Sequence, residues 1–178
     1  MAIHTLIISP RHSEAAPSFR PSPVTVLFGA MMRNLSAYVE AERDLEHCGS
    51  WDPACDMWIR DAEHARTHVL DAIASLRGAP IRRAEDLPLR RCAAVAQMVI
   101  ESDSPRHVRD ILLLPDRFPH AFRCASNGPV ARRVDLMVAS FQHHLHALGA
   151  LADIMDTVEA DCCTTEPDAP ETMLAPTA

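Results

Sequence analysis

The sequence predicts an all-α protein, an antiparallel bundle of four long helices plus one short helix. Large apolar residues recur every three or four positions in separate stretches, the spacing of helices with one buried face. Gly and Pro fall between these stretches, where helices end. The 178 residues suffice for one hydrophobic core. We expect one bundle over residues 24–160, between a flexible proline-rich leader at 1–23 and an acidic disordered tail at 161–178.

The first two helices are expected to form an antiparallel hairpin. The first covers residues 25–48, and Gly49 follows it as a C-terminal cap. The second begins at Asp52-Pro53, because Asp caps helices and Pro fits the first helical position. The first apolar row is Phe28, Met31, Leu35, Tyr38 and Leu45. The second row is Cys55, Trp58, Ala62, Ala65, Val69, Ala72 and Leu76.

Two further elements follow an arginine-rich connector. A third helix is expected at residues 86–102, and Ser104-Pro105 predicts the start of a short fourth helix. Residues 115–128 are expected to form a loop that places Phe118 and Phe122 against the core.

A long C-terminal helix is expected at residues 129–160, with the other helices packed along it. At 1.5 Å per residue it is roughly 45 Å long. Its buried row has a regular spacing of four and three residues. The row is Val134, Val138, Phe141, Leu145, Leu148, Ala152 and Met155.

Composition excludes several functions. All 17 basic residues are Arg, so a Walker A loop, a pyridoxal Schiff base and a Lys general base are excluded. Only five Gly are present, too few for a glycine-rich loop that binds a nucleotide, and no cofactor is predicted. No apolar run reaches the roughly 20 residues of a membrane span. We expect a cytoplasmic protein, with no membrane association, whose six Cys are free thiols.

Charge is unevenly distributed along the chain. Residues 60–133 hold 13 Arg and 9 acidic residues, whereas residues 134–178 hold 8 acidic residues and no Arg. Within the long helix, Arg132 and Arg133 lie in the first turn, and both oppose the helix dipole. The acidic residues near its end do the same. They include Asp153, Asp156 and Glu159.

Two arrangements would compensate these charges. A second copy packed antiparallel would bring each arginine end onto the other's acidic end, as a two-fold interface allows. Alternatively, arginines of residues 77–91 would meet the acidic end within one chain, and the sequence slightly favours this version. The predicted interface residues are Arg132, Arg133, Asp153, Asp156 and Glu159.

Two histidine pairs have the spacing of metal ligands. His64 and His68 lie four residues apart on the second helix, and His143 and His146 lie three apart on the long helix. Most such pairs are solvated surface residues, so a metal-binding bundle is kept as an alternative. His144 is expected to be half-buried.

Arginines suggest a second alternative, a DNA-binding regulator. The third helix, Ser104-Pro105 and the fourth helix could form a helix-turn-helix that carries Arg106 and Arg109. The net charge of −7 makes nucleic-acid binding unlikely.

One stretch resembles a group of small helical proteins found in bacterial genomes and prophages. The residues that carry the resemblance are Asp52, Trp58, Ala62 and Ala65, then Ala79-Pro80, Glu85-Asp86-Leu87 and Arg90-Arg91. The resemblance covers residues 25–103 and implies a helix pair, a connector and a third helix, without an activity. The expected function is therefore a non-enzymatic interaction or regulatory protein, with a homodimer or another protein as partner.

Overall fold

The computed structural model describes residues 20–46, 53 and 55–163, with side chains described as far as residue 151. This part of the chain is helical and contains no strand, which confirms the all-α prediction. The helices are α1 Pro23–Glu46, α2 Cys55–Gly78, α3 Asp86–Ile100, α4 Pro105–Leu112, α5 Leu114–Arg117, α6 Pro119–Phe122 and α7 Pro129–Cys163. None of the described helices is long and apolar enough to cross a lipid bilayer.

Consecutive segments of the bundle run in alternating directions. Helix α2 packs against α1 and α3, whereas α7 packs against α1, α3 and α4. Ser22, before α1, bonds to Asp86 at the start of α3. Tyr38, Ile100 and Leu151 line one cleft near the other end. Helices α1, α3 and α7 therefore run in the same direction, and α2 and the α4–α6 segment run in the opposite one.

The core lies between α1, α2, α3 and α7. The predicted row of α7 is confirmed wherever its side chains are described, because Val134, Val138, Phe141, Leu145 and Leu148 are all buried. The Phe28 and Phe141 rings meet edge to face, with centroids 6.3 Å apart. Ala152 and Met155 lie outside the described side chains.

Two parts of the sequence prediction differ from the structure. On α2 the core residue is Ile73, which is 1% exposed, whereas the predicted Ala72 is only half-buried. The predicted loop at 115–128 contains α5 and α6, with Pro115 and Pro119 in their first turns, where a missing N–H is tolerated. Phe122 is buried as expected, but Phe118 is 49% exposed.

The cysteines also differ from expectation. Cys92 lies in the core and Cys124 is half-buried, and both are free thiols. Cys55 is disulfide-bonded, so the expectation of six free thiols is wrong for this residue. Cys48 and the side chains of Cys162 and Cys163 lie outside the described part of the chain.

Candidate functional site

The first predicted metal pair lies on the exposed side of α2. The His64 and His68 rings have centroids 4.3 Å apart and are tilted by 36°. The His68 carbonyl accepts a hydrogen bond from Asn34 Nδ2 at 3.1 Å, which ties this face to α1. Among the described side chains, no group of three or more His, Cys, Asp or Glu could hold a metal ion. The pair therefore offers two imidazoles, and metal binding stays a prediction.

The second predicted metal pair lies on α7. His143 and His146 are both exposed. The described ring contact of His143 is with His144, 6.0 Å away and nearly perpendicular. His144 is half-buried, as expected, with Nδ1 2.9 Å from the Ser140 carbonyl. A metal site at His143 and His146 also stays a prediction.

The helix-turn-helix hypothesis finds little support in the position of α4. Ser104 caps α4 as predicted, since its hydroxyl accepts from the His107 N–H. However, Val108 and Ile111 on this eight-residue helix are buried. Arg109 donates back to the Pro105 carbonyl at 3.5 Å. An element of two turns with one face in the core presents few side chains to a DNA groove.

The arginines cluster instead at the end of the bundle where α1, α3 and α7 begin, here called the basic end. Three contacts bring its segments together. Arg83 Nη2 donates to the Arg20 carbonyl at 3.1 Å, and Arg91 Nη1 to the Ala121 carbonyl at 2.7 Å. Ser126 Oγ lies 2.9 Å from Glu85 Oε1. The arginines of the basic end are Arg20, Arg82, Arg83, Arg90, Arg91, Arg117, Arg123, Arg132 and Arg133.

Among the described side chains, few carboxylates lie near these arginines. Asp86 is 1% exposed, and its carboxylate accepts hydrogen bonds from two backbone N–H groups and from the Ser22 hydroxyl. Glu85 bonds to Ser126, and Asp135 accepts from the Cys124 backbone N–H at 3.1 Å. Asp116 on α5 is exposed. The basic end therefore carries a clear excess of positive charge.

The opposite half of the bundle, here called the acidic end, has the reverse balance. Its acidic residues lie at the ends of α1 and α3 and the starts of α2 and α4. They are Glu40, Glu42, Asp44, Glu46, Asp56, Asp61, Glu63, Glu101, Asp103 and Asp110. Its arginines are Arg43, Arg60, Arg66, Arg106 and Arg109.

Helix dipoles add to this separation of charge. Helices α1, α3 and α7 place their positive N-termini at the basic end and their negative C-termini at or beyond the acidic end. Each terminus is equivalent to roughly half a unit charge, and α2, the antiparallel helix, offsets only part of the sum. The bundle is therefore electrically polarised along its length.

Pairing of the arginine connector with the acidic end of α7 within one chain stays a prediction. The Ser126–Glu85 contact places the connector beside the start of α7. Asp153 lies 20 residues beyond Arg133 on the same helix, about 30 Å away at 1.5 Å per residue. This distance is nearly four Debye lengths at physiological salt. The side chains of Asp153, Asp156 and Glu159 lie outside the described residues.

Two clefts each contain a titratable group with a shifted pKa value. A cleft of about 250 Å³ between α1, α3, α4 and α7 is lined by Tyr38, Glu42 and apolar residues such as Leu148. Burial, and then the Glu42 carboxylate, raise the pKa of Tyr38. In a second cleft, burial and then Asp135 raise the pKa of the Cys124 thiol to about 11. Both groups are protonated at neutral pH, so neither is activated as a nucleophile.

Comparisons with protein-family models, with curated proteins and with solved structures find no match for this chain.

Sequence reasoning missed the polarised surface. The arginines at residues 82–91 and 132–133 were visible, as were the acids at residues 40–46. Alternating helix directions, assigned from the short connections, would have placed the starts of α1, α3 and α7 at one end. The grouping is therefore a consequence of topology and not of any local motif.

Proposed function

We propose that this protein is a non-enzymatic interaction protein that associates with itself. The observation that carries the proposal is the separation of charge between the basic end and the acidic end. Opposite charges at the two ends of one rigid bundle cannot neutralise each other, whereas two copies side by side and antiparallel can. Such complementarity favours a specific orientation and a fast association rate.

The titratable groups in the clefts support a non-enzymatic role. Tyr38 and Cys124 have raised pKa values, and burial raises that of Cys92 to about 12. Catalytic nucleophiles and bases usually have pKa values moved toward neutrality. Raised values of this kind are typical of buried structural groups.

A cytoplasmic location is part of the proposal, and one observation opposes it. No helix among the described residues could span a membrane, and the sequence favours the cytoplasm. The disulfide at Cys55 argues for an oxidising compartment, because cytosolic thiols are normally kept reduced. The redox state of Cys55 in cells therefore tests the location.

Sedimentation velocity over about 1–100 µM protein tests self-association. We expect a dimer at low ionic strength that weakens at about 0.5 M salt, because added salt shortens the Debye length to a few ångströms. A monomer across the whole concentration range at low salt would show that the proposal is wrong. A gel shift with duplex DNA, and metal analysis of untagged protein, test the two alternative functions on the same sample.

A further inference from the structure

The outward side of α7 is largely exposed along the bundle. It lies opposite the buried row that contains Val134 and Phe141. Leu136 is 72% exposed, the highest value among the exposed large apolar side chains of the described part. The same side carries exposed Arg132 at the basic end, exposed Ala139 and Ala150, and half-buried Ala147, which packs against the core. This row, here called the outer row, is Leu136, Ala139, His143, Ala147 and Ala150.

The outer row has the same spacing in both directions. Reversing the helix about residue 143 exchanges positions 136 and 150, and positions 139 and 147. An antiparallel second copy in this register would therefore place Leu136 against Ala150, a large side chain against a small one. The same register brings position 133 level with position 153, so the basic start of one α7 lies beside the acidic end of the other.

We propose that two copies of the chain pair antiparallel through the outer rows of α7, with a two-fold axis beside His143. This inference rests on the proposed self-association and specifies its surface and register. A two-fold contact is closed, so it produces a dimer, whereas head-to-tail stacking of polarised bundles would produce open filaments. Pairing covers Leu136 and reduces the charge excess at both ends of each copy.

Charge reversal with complementation tests the pairing. One variant combines Arg132→Glu with Arg133→Glu, and the other combines Asp153→Arg with Asp156→Arg. Each alone should weaken dimerisation at least about tenfold, because like charges then face each other at both ends of the pair. An equimolar mixture should restore the dimer, since each reversed end then meets an oppositely charged one. Arg60→Glu with Arg106→Glu is the matched control, with the same charge change off α7.

Cross-linking tests the register. His143→Cys, treated with a short bis-maleimide, should give a 143–143 cross-linked peptide by mass spectrometry. Leu136→Cys alone should give little linkage, but a mixture with Ala150→Cys should give the 136–150 peptide. The wild-type chain treated with the same bis-maleimide identifies the cross-links that form through native cysteines. Circular dichroism checks that each variant is folded.

The outcomes separate this inference from the proposed function. A dimer that forms without 143–143 or 136–150 linkage, and that is indifferent to both charge reversals, would overturn the pairing and leave self-association intact. Filaments in place of dimers would also overturn it. A monomer under all conditions would overturn both.

Discussion

The hydroxyl of Ser22 lies 2.5 Å from Oδ1 of Asp86, although 64 residues separate the two in sequence. Ser22 also caps α1, since its hydroxyl accepts from the Thr25 N–H at 3.1 Å. The other carboxylate oxygen of Asp86 accepts from the backbone N–H groups of Arg82 and Arg83, at 3.0 and 3.2 Å. One buried carboxylate therefore fixes the start of α1, the connector and the start of α3.

Asp86→Ala is expected to lower the free energy of unfolding by about 2–4 kcal/mol, because the change leaves two backbone donors and a hydroxyl without their charged acceptor. Ser22→Ala should cost about 1–2 kcal/mol, since it removes a helix cap as well as one bond to Asp86. Urea unfolding monitored by circular dichroism measures both changes. Asp116→Ala, an exposed carboxylate on α5, is the control and should stay within about 0.5 kcal/mol of wild type. Equal effects at Asp86 and Asp116 would contradict the assigned role.

Sequence patterns predicted the helices well but not this junction. Ser104-Pro105 was identified as a cap because a clear break precedes it. Ser22-Pro23 has the same pattern, but it follows three other prolines, so the sequence predicts that it belongs to the proline-rich leader. The bond from Ser22 to Asp86 depends on how the chain folds back after α2. No local signal specifies a contact across 64 residues, so only the topology reveals it.

The side chain of Leu112 on α4 closely approaches Gly149 on α7. A Cβ built at Gly149 would lie 2.4 Å from Leu112 Cδ1, whereas one at Gly29 would meet only an arginine tip at 3.9 Å. Gly29→Ala should therefore raise the free energy of unfolding by about 0.5–1 kcal/mol, through helix propensity alone. Gly149→Ala should lower the free energy of unfolding by about 1 kcal/mol. The cost of overpacking against Leu112 exceeds the gain in helix propensity. Thermal or urea unfolding of both variants makes the comparison.

A double-mutant cycle isolates the Leu112 contact. In a Leu112→Ala background the obstruction is absent, so Gly149→Ala should become stabilising by about 0.5–1 kcal/mol. If Gly149→Ala is equally destabilising with and without Leu112, the close approach is not the reason for glycine at this position.

The candidate interaction surface could be predicted only in part. Arg132 and Arg133 were predicted at the start of the long helix, and the structure shows both exposed there. The sequence also favours contact between the arginines of residues 77–91 and the acidic end of the long helix, and this contact stays a prediction. Position 133 and position 153 lie about 30 Å apart along α7, so the two ends of this helix cannot pair with each other. Helix length and direction, not local charge, decide which groups can pair.

Thiol labelling tests the cysteine assignments. A chain with Cys55 in a disulfide has at most four of its six thiols free. Denatured protein without reductant should therefore take up at most four iodoacetamide groups, and six after reduction. In the folded state Cys92 should label most slowly, because it is fully buried and its thiolate is disfavoured. Protein from acid-quenched cells can be labelled in the same way without reductant. Uptake of six iodoacetamide groups would contradict the disulfide and favour the cytoplasmic location.

Stability is expected to fall in alkaline solution. Burial raises the pKa of Cys92 from 9.0 to about 12, and burial with Glu42 raises that of Tyr38. Both groups hold their protons more tightly in the folded state. Their contribution to stability is therefore fully present below the unfolded-state pKa values and is lost as the pH rises above about 9.

Urea unfolding at intervals from pH 7 to 10.5 measures this alkaline loss. Cys92 alone should account for about 2 kcal/mol at pH 10.5, since 1.5 units above its unfolded pKa correspond to that free energy. Cys92→Ala removes the titrating group, so this variant should start less stable at pH 7 but lose less stability on the way to pH 10.5. Tyr38→Phe should flatten the curve above about pH 10 for the same reason. Parallel curves for wild type and Cys92→Ala would mean that the buried thiol is not the group that titrates.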